Sequence, residues 1–363
     1  MPIDYRTDSN WKSTTTDVLK QAEGFRSRVY DDGKGIPTMG YGFALVRDNG
    51  QWEVVDDAKL QAAGLEPPGP GTQRLLRQIA RDKNAGQDTS ALVDQLSGAN
   101  SPWQVTESQA GTLLDGEVEV AETALENRLQ NHLGPEEGTR VFNEVQGTRE
   151  GSALLSLAYN SPSLIGSGLS NALADGNRAE AWYEIRYNSN AGALSADPPN
   201  IAEGIATRRY AESALFGLTD GDSPTKAEAL ETYRTFTQHR DTILAYEERY
   251  RDEVSDAQAL IDGAANRGGA SLSVPTAQEA FQDARDKLVA EYGEAGIPID
   301  YRDIQVAAEG GSTLKGTRRD GFETGTGAHQ NDLLVGQAGP DGLTGAGGHD
   351  VLYGGKGTDA LDG

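Results

Sequence analysis

The C-terminal end of the chain repeats with a period of nine: Gly327-Ala-His-Gln-Asn-Asp-Leu-Leu-Val, Gly336-Gln-Ala-Gly-Pro-Asp-Gly-Leu-Thr, Gly345-Ala-Gly-Gly-His-Asp-Val-Leu-Tyr and Gly354-Gly-Lys-Gly-Thr-Asp-Ala-Leu-Asp. Position six is aspartate in every unit, at Asp332, Asp341, Asp350 and Asp359. Position eight is leucine, at Leu334, Leu343, Leu352 and Leu361. Glycine opens each unit because tight turns use backbone angles that other residues adopt only with strain. A flexible linker has no reason to hold aspartate and leucine in phase over successive units. The segment is therefore expected to be a folded repeat and not a linker.

This repeat resembles the nonapeptide of RTX calcium-binding β-rolls. The resemblance implies a parallel roll over residues 318–363, in which units two apart lie on the same side and the leucines stack into a narrow core. Asp332 is then paired with Asp350, and Asp341 with Asp359, beside glycine carbonyls. Hard anionic and carbonyl oxygens suit Ca²⁺. The reading expects structural Ca²⁺ in the tail, which orders when the ion binds, and no cofactor for catalysis. RTX repeats usually accompany export without a cleaved leader. Met1–Asn10 shows neither a basic n-region nor an apolar h-region, so a secreted, extracellular protein without a cleavable signal peptide is expected.

Composition narrows the partners. The chain has 363 residues, with 56 acids against 32 lysines and arginines and a net charge of −24. Such a charge argues against nucleic acid and anionic lipid. No apolar run is long enough to span a bilayer, and with no cysteine no disulfide staples the fold. The acidic, lysine-poor surface fits a saline habitat, calcium binding or plain solubility, and solubility is the first reading of the three.

Nearer the N-terminus, Val18, Ala22, Phe25 and Val29 recur at helical spacing, with Thr14 as the expected N-cap. Glu23 sits at the edge of that stripe, where a carboxyl is half-desolvated, as a general acid needs. Asp32 follows nine residues later and Thr38 six after that, across a glycine-rich hairpin from Asp31 to Ala44. Two carboxyls facing across a turn, with a hydroxyl beside them, suit cleavage of a glycosidic bond. Glu23-Gly24, Tyr30, Asp32, Thr38, Gly40 and Gly42, in this order and spacing, resemble the active-site signature of the phage-type lysozymes, the endolysin muramidases. Phe43 stands where that family usually has histidine.

The resemblance continues through the Thr106–Gln109 capping box and the helix it opens, expected to reach about Arg128. It goes on through Gly151–Asn160, Gly166–Gly176, Ala181-Trp182 and Gly204–Phe216. It covers residues 11–217 apart from an insertion at about 46–104, where Glu66–Gly71 is too rich in proline and glycine for helix and no chemistry is evident. The fold it implies is α+β: a mainly helical two-lobed phage-lysozyme domain, a helical spacer or small domain over 223–312, and the C-terminal parallel β-roll. Arg208 and Arg209 either pair with Glu23 or lie on a solvated face. The four histidines read as solvated.

The function these resemblances imply is a muramidase, a glycoside hydrolase. It would cut the β-1,4 bond between N-acetylmuramic acid and N-acetylglucosamine in bacterial peptidoglycan, as an antibacterial or prophage-derived lysin. Glu23 would be the acid, Asp32 the anion that stabilises the transition state, and Thr38 would help to place the attacking water. A monomer is expected, with an exporter or immunity protein as possible partners. The rival reading is a non-catalytic glycan-binding or adhesin-type calcium-binding protein.

Overall fold

The computed structural model describes residues 3–190, 192–197, 202–221, 223–264, 272–316 and 330–363. Gly327, Ala328 and His329, which open the first repeat unit, lie outside these residues, as does 318–326. The chain is mainly helical, with a parallel-strand region at its C-terminal end.

Helix α1 (Trp11–Glu23) starts before Thr14, which is buried inside it. Asp8 organises the start in its place: its carboxylate accepts from Asn10 N and from Thr14 Oγ1, each at 2.8 Å. The helix stops at Glu23 because Gly24 takes φ +67°. Val29, expected on the helical stripe, is therefore buried in strand β1 (Arg26–Asp31), and Ala22 is exposed. β1 pairs antiparallel with β2 (Pro37–Gly40), which pairs with β3 (Phe43–Ala44); Tyr30 stands opposite Thr38.

The insertion folds over this sheet. β4 (Val46–Asp48) and β5 (Trp52–Val54) form a hairpin, followed by α2 (Asp57–Ala62), α3 (Pro70–Asn84) and α4 (Ser90–Val93). Helix begins at Pro70 despite the proline-glycine run, because a proline at the first helical position lacks only an N–H that has no helical partner there anyway. Leu76, Ile79, Val93 and Trp103 share one apolar cluster with Val29, Met39 and Phe43.

Helix α5 (Glu107–Leu133) opens with the expected capping box and runs on to Gly134, which takes φ +88°. It joins two cores: Leu113 packs with the sheet, whereas Ala110, Leu114 and Val118 pack with the helices that follow. These are α6 (Pro135–Val145), α7 (Arg149–Asn160), α8 (Ser167–Ala174), α9 (Arg178–Arg186) and α10 (Glu203–Phe216).

The segment 223–312 does not stand off as a spacer. Helices α11 (Lys226–Tyr250), α12 (Glu253–Gly263) and α13 (Ala277–Tyr292) continue the same core. The Trp182 and Phe281 rings meet edge-on at 5.9 Å, and Tyr187 and Tyr246 at 5.2 Å. Glu247 of α11 accepts from Tyr187 at 2.9 Å, Tyr210 at 3.2 Å and Arg186 at 3.3 Å. A buried carboxylate that accepts from these three side chains ties α11 to α9 and α10. His239 is not simply solvated either: it stacks on Tyr183 at 3.7 Å and pairs with Glu180 at 2.8 Å.

The last region is a roll of two parallel three-stranded sheets. β6 (Ile304–Val306), β8 (Leu333–Val335) and β10 (Val351–Tyr353) form one; β7 (Thr313–Lys315), β9 (Gly342–Thr344) and β11 (Ala360–Asp362) form the other. It thus begins at Ile304, inside the segment read as spacer, and not at 318. Ile304 registers with Leu333 and Thr313 with Gly342. Backbone pairing and inward apolar residues suffice for this upstream turn, although Gln305 replaces the leucine and Ser312 the aspartate. The leucine stack is shorter than expected: Leu334 and Leu343 are buried with Leu314, whereas Leu361, on edge strand β11, is 52% exposed.

Candidate functional site

Glu23 ends α1 with its side chain 26% exposed. Arg208 of α10 donates from Nη1 to Glu23 Oε1 at 2.8 Å. Arg208 is itself buried and also reaches Glu212 Oε1, from Nε at 3.3 Å. Glu212 is fully buried, takes the Ser156 hydroxyl at 2.7 Å and pairs with Arg209. Arg209 donates its other arm to Asn160 Oδ1 at 2.6 Å. Arg208 is thus the residue on Glu23, and neither arginine lies on a solvated face. Two cations balance two carboxylates here, so the positive charge facing Glu23 is already partly neutralised by Glu212.

The other face of Glu23 is set by the turn between β2 and β3. Gly42 takes φ +81°, and a Cβ placed there would lie 3.2 Å from Glu23 Oε2 and 3.7 Å from the Tyr159 hydroxyl. Glycine is needed at this position both for the backbone angle and for the approach. Tyr159 donates to the Tyr41 carbonyl at 3.3 Å. Burial, and after it the charge of Glu23, pushes the Tyr159 hydroxyl well up.

Asp32 lies just past β1, exposed, and its Oδ1 accepts from Lys34 N at 2.8 Å and Ile36 N at 3.1 Å. Asp31 makes the companion turn, accepting from Gly33 N at 2.9 Å and Gly35 N at 2.8 Å. Thr38, on β2, is buried and donates to the Ile36 carbonyl at 3.2 Å. The Tyr30 hydroxyl, opposite Thr38, is raised first by burial and next by Glu23; Arg26 opposes this and Asp32 adds to it.

In the roll, the aspartates stack as the repeat implied. Asp332 N donates to Asp350 Oδ1 at 2.9 Å and Asp341 N to Asp359 Oδ1 at 3.0 Å. Ser312 N donates to Asp341 Oδ1 at 2.7 Å, which continues the ladder one turn of the roll upstream. A Cβ on Gly336 would run into the Gly354 carbonyl and lie 2.7 Å from Asp341 Oδ2. One on Gly316 would meet the Gly345 carbonyl and lie 2.7 Å from Asp332 Oδ2. Each flank thus gathers a carbonyl and a carboxylate oxygen around a glycine. Asp341 Oδ2 is buried without a hydrogen-bond partner, and a carboxylate oxygen is a hard donor of the kind that Ca²⁺ takes. Among the described residues no three His, Cys, Asp or Glu side chains converge, so a cation here would need main-chain carbonyls as well.

A family model of the RTX calcium-binding nonapeptide repeat matches residues 327–361. This segment is an RTX repeat. RTX repeats bind Ca²⁺ and are typical of secreted proteins. A comparison with curated proteins gives no match. No helix among the described residues is long and apolar enough to cross a membrane.

The sequence places Glu212 in the Arg-Arg-x-x-Glu pattern of α10 without assigning it the role it has here, which is to orient both arginines. The spacing Arg208-Arg209-x-x-Glu212 contained the signal, since residues three and four apart on a helix face each other. The roll's first turn was missed because Gln305 and Ser312 hide the repeat.

Proposed function

We propose that the chain is a peptidoglycan-cutting muramidase carrying a calcium-stabilised RTX roll. The observation that carries the catalytic half is Glu23. It is a partly exposed carboxyl at a helix end, gripped on one oxygen by buried Arg208 and met on the other side by Gly42, with Asp32 on the adjoining turn. Glu23 would protonate the bridging oxygen between the two sugars. Asp32, ionised, would stabilise the oxocarbenium-like transition state, and Thr38 would help to hold the attacking water. Inversion, which the lysozyme resemblance implies, needs the two carboxyls roughly 6.5–9.5 Å apart.

In the roll, Asp341, Asp359 and the Gly354 carbonyl would hold Ca²⁺ on one flank, and Asp332, Asp350 and the Gly345 carbonyl on the other. The ion would neutralise the stacked carboxylates and so close the roll. It would take no part in the hydrolysis.

The test is clearing of a peptidoglycan suspension. Glu23→Gln keeps the shape and removes the transferable proton, so the rate should fall by at least ~10²-fold while glycan binding survives. Near-normal lysis by this variant would end the proposed mechanism. The second reading, a calcium-dependent glycan binder without activity, draws on the family match, which covers only the repeat. It would be favoured by wild-type protein that sediments with the wall but never clears it.

A further inference from the structure

Helix α3 of the insertion carries a row of cations on its outer side. Arg74, Arg77 and Arg81 fall at helical spacing on one side of α3, and all three are exposed. With a rise of 1.5 Å per residue they stand ~4.5 and ~6 Å apart along the axis. None of the three makes an ion pair among the described residues, in a chain that holds 56 carboxylate side chains. Gln73 accepts from Arg77 at 2.7 Å and itself donates to Asp57 at 3.0 Å, which keeps that acid from the guanidinium. These residues line an open trough of about 500 Å³ whose far end is walled by Pro68 and Pro70.

The near end is tied to the turn that bears Asp32. Lys83 of α3 donates to the Lys34 carbonyl, and Thr89, before α4, donates to the Gly35 carbonyl at 2.6 Å. The arginine row therefore sits on a helix fastened to the turn that bears Asp32.

We propose that this row binds a linear phosphodiester polymer of the polyol-phosphate class. A guanidinium presents a planar fork matched to phosphate oxygens and stays charged at any relevant pH. A line of closely placed cations fits a flexible chain with one charge per repeat. No aromatic ring lines the trough, so nucleic-acid bases have no face to stack on. The inference does not depend on the catalytic reading, and its test reads binding alone.

The probe is purified poly(glycerol phosphate), titrated by calorimetry into the full-length protein at low salt and then across a salt series. The triple variant Arg74→Gln/Arg77→Gln/Arg81→Gln should bind at least 10-fold more weakly. Its slope of log affinity against log salt should be shallower by about 2, at ~0.7 per phosphate neutralised. Arg140→Gln, an exposed arginine on another helix, should bind as wild type does, and circular dichroism checks that each variant is folded. Unchanged binding by the triple variant overturns the proposal. So does equal or tighter binding of single-stranded DNA or of a polyuronate of the same length, which would mean a general affinity for polyanions.

Discussion

At Asp31 and Asp32 two adjacent carboxylates do the same local work, each accepting two backbone N–H groups across the same turn. Asparagine keeps the accepting oxygen and removes only the charge. Substitution therefore isolates electrostatics from turn geometry. Asp32→Asn should cripple hydrolysis, and Asp31→Asn should leave most of it. The opposite result in the clearing assay would move the site by one residue. Arg208 carries a different kind of weight, because it serves Glu23 and fully buried Glu212 together. Arg208→Ala leaves Glu212 with half its cationic company, and breaking a buried pair from one side costs about 3–5 kcal/mol. Urea unfolding should show that loss, alongside reduced lysis; a variant as stable as wild type would mean that Arg209 alone satisfies Glu212.

Single elements are fixed by short signals that can be tested separately. The Thr106 hydroxyl takes Gln109 N at 3.2 Å, and Gln109 Oε1 returns a bond to Thr106 N at 3.1 Å. Thr106→Ala should cost about 1 kcal/mol, the usual worth of an N-cap, in the same unfolding experiment. In the roll the corresponding small signal is a glycine. Gly336→Ala would put a methyl where the Gly354 carbonyl and Asp341 Oδ2 converge. Calorimetry should then show calcium binding lost on that flank, with the rate of wall clearing unchanged in the same preparation. Full calcium stoichiometry in this variant would remove Asp341 from the proposed ligand set.

The molecule as a whole links the roll to the helices by a shared apolar core. Ile304, Val306, Leu333 and Val335 pack in the cluster that holds Phe236 and Phe281. Val306 N donates to the Thr237 hydroxyl at 3.0 Å, and the Tyr292 and Tyr353 rings stand 4.7 Å apart. Calcium that binds only the folded roll should therefore stabilise more than the roll. At a free concentration 100 times its dissociation constant an ion adds about 2.7 kcal/mol. The helical circular dichroism signal should melt at higher temperature in calcium than in chelator. A helical melt indifferent to calcium, with the roll ordered by it, would show that this shared core transmits nothing.

The sequence determined what is local or periodic. The capping boxes at Thr106, Thr225 and Thr276 lie within four residues of themselves. The nine-residue phase carried the aspartate stacking, because in a roll sequence separation alone dictates which units meet. Other features were decided only in three dimensions. Arg208 was selected over Arg209 by the packing of α10 against α7, where one step along the helix turns a side chain by ~100°. The insertion gained a core by closing over the β1–β3 sheet, through contacts tens of residues apart that no local pattern encodes. The upstream turn at Ile304 and Thr313 kept the roll's spacing while losing its consensus, since strand pairing asks for backbone hydrogen bonds and burial and leaves the side chains free to change.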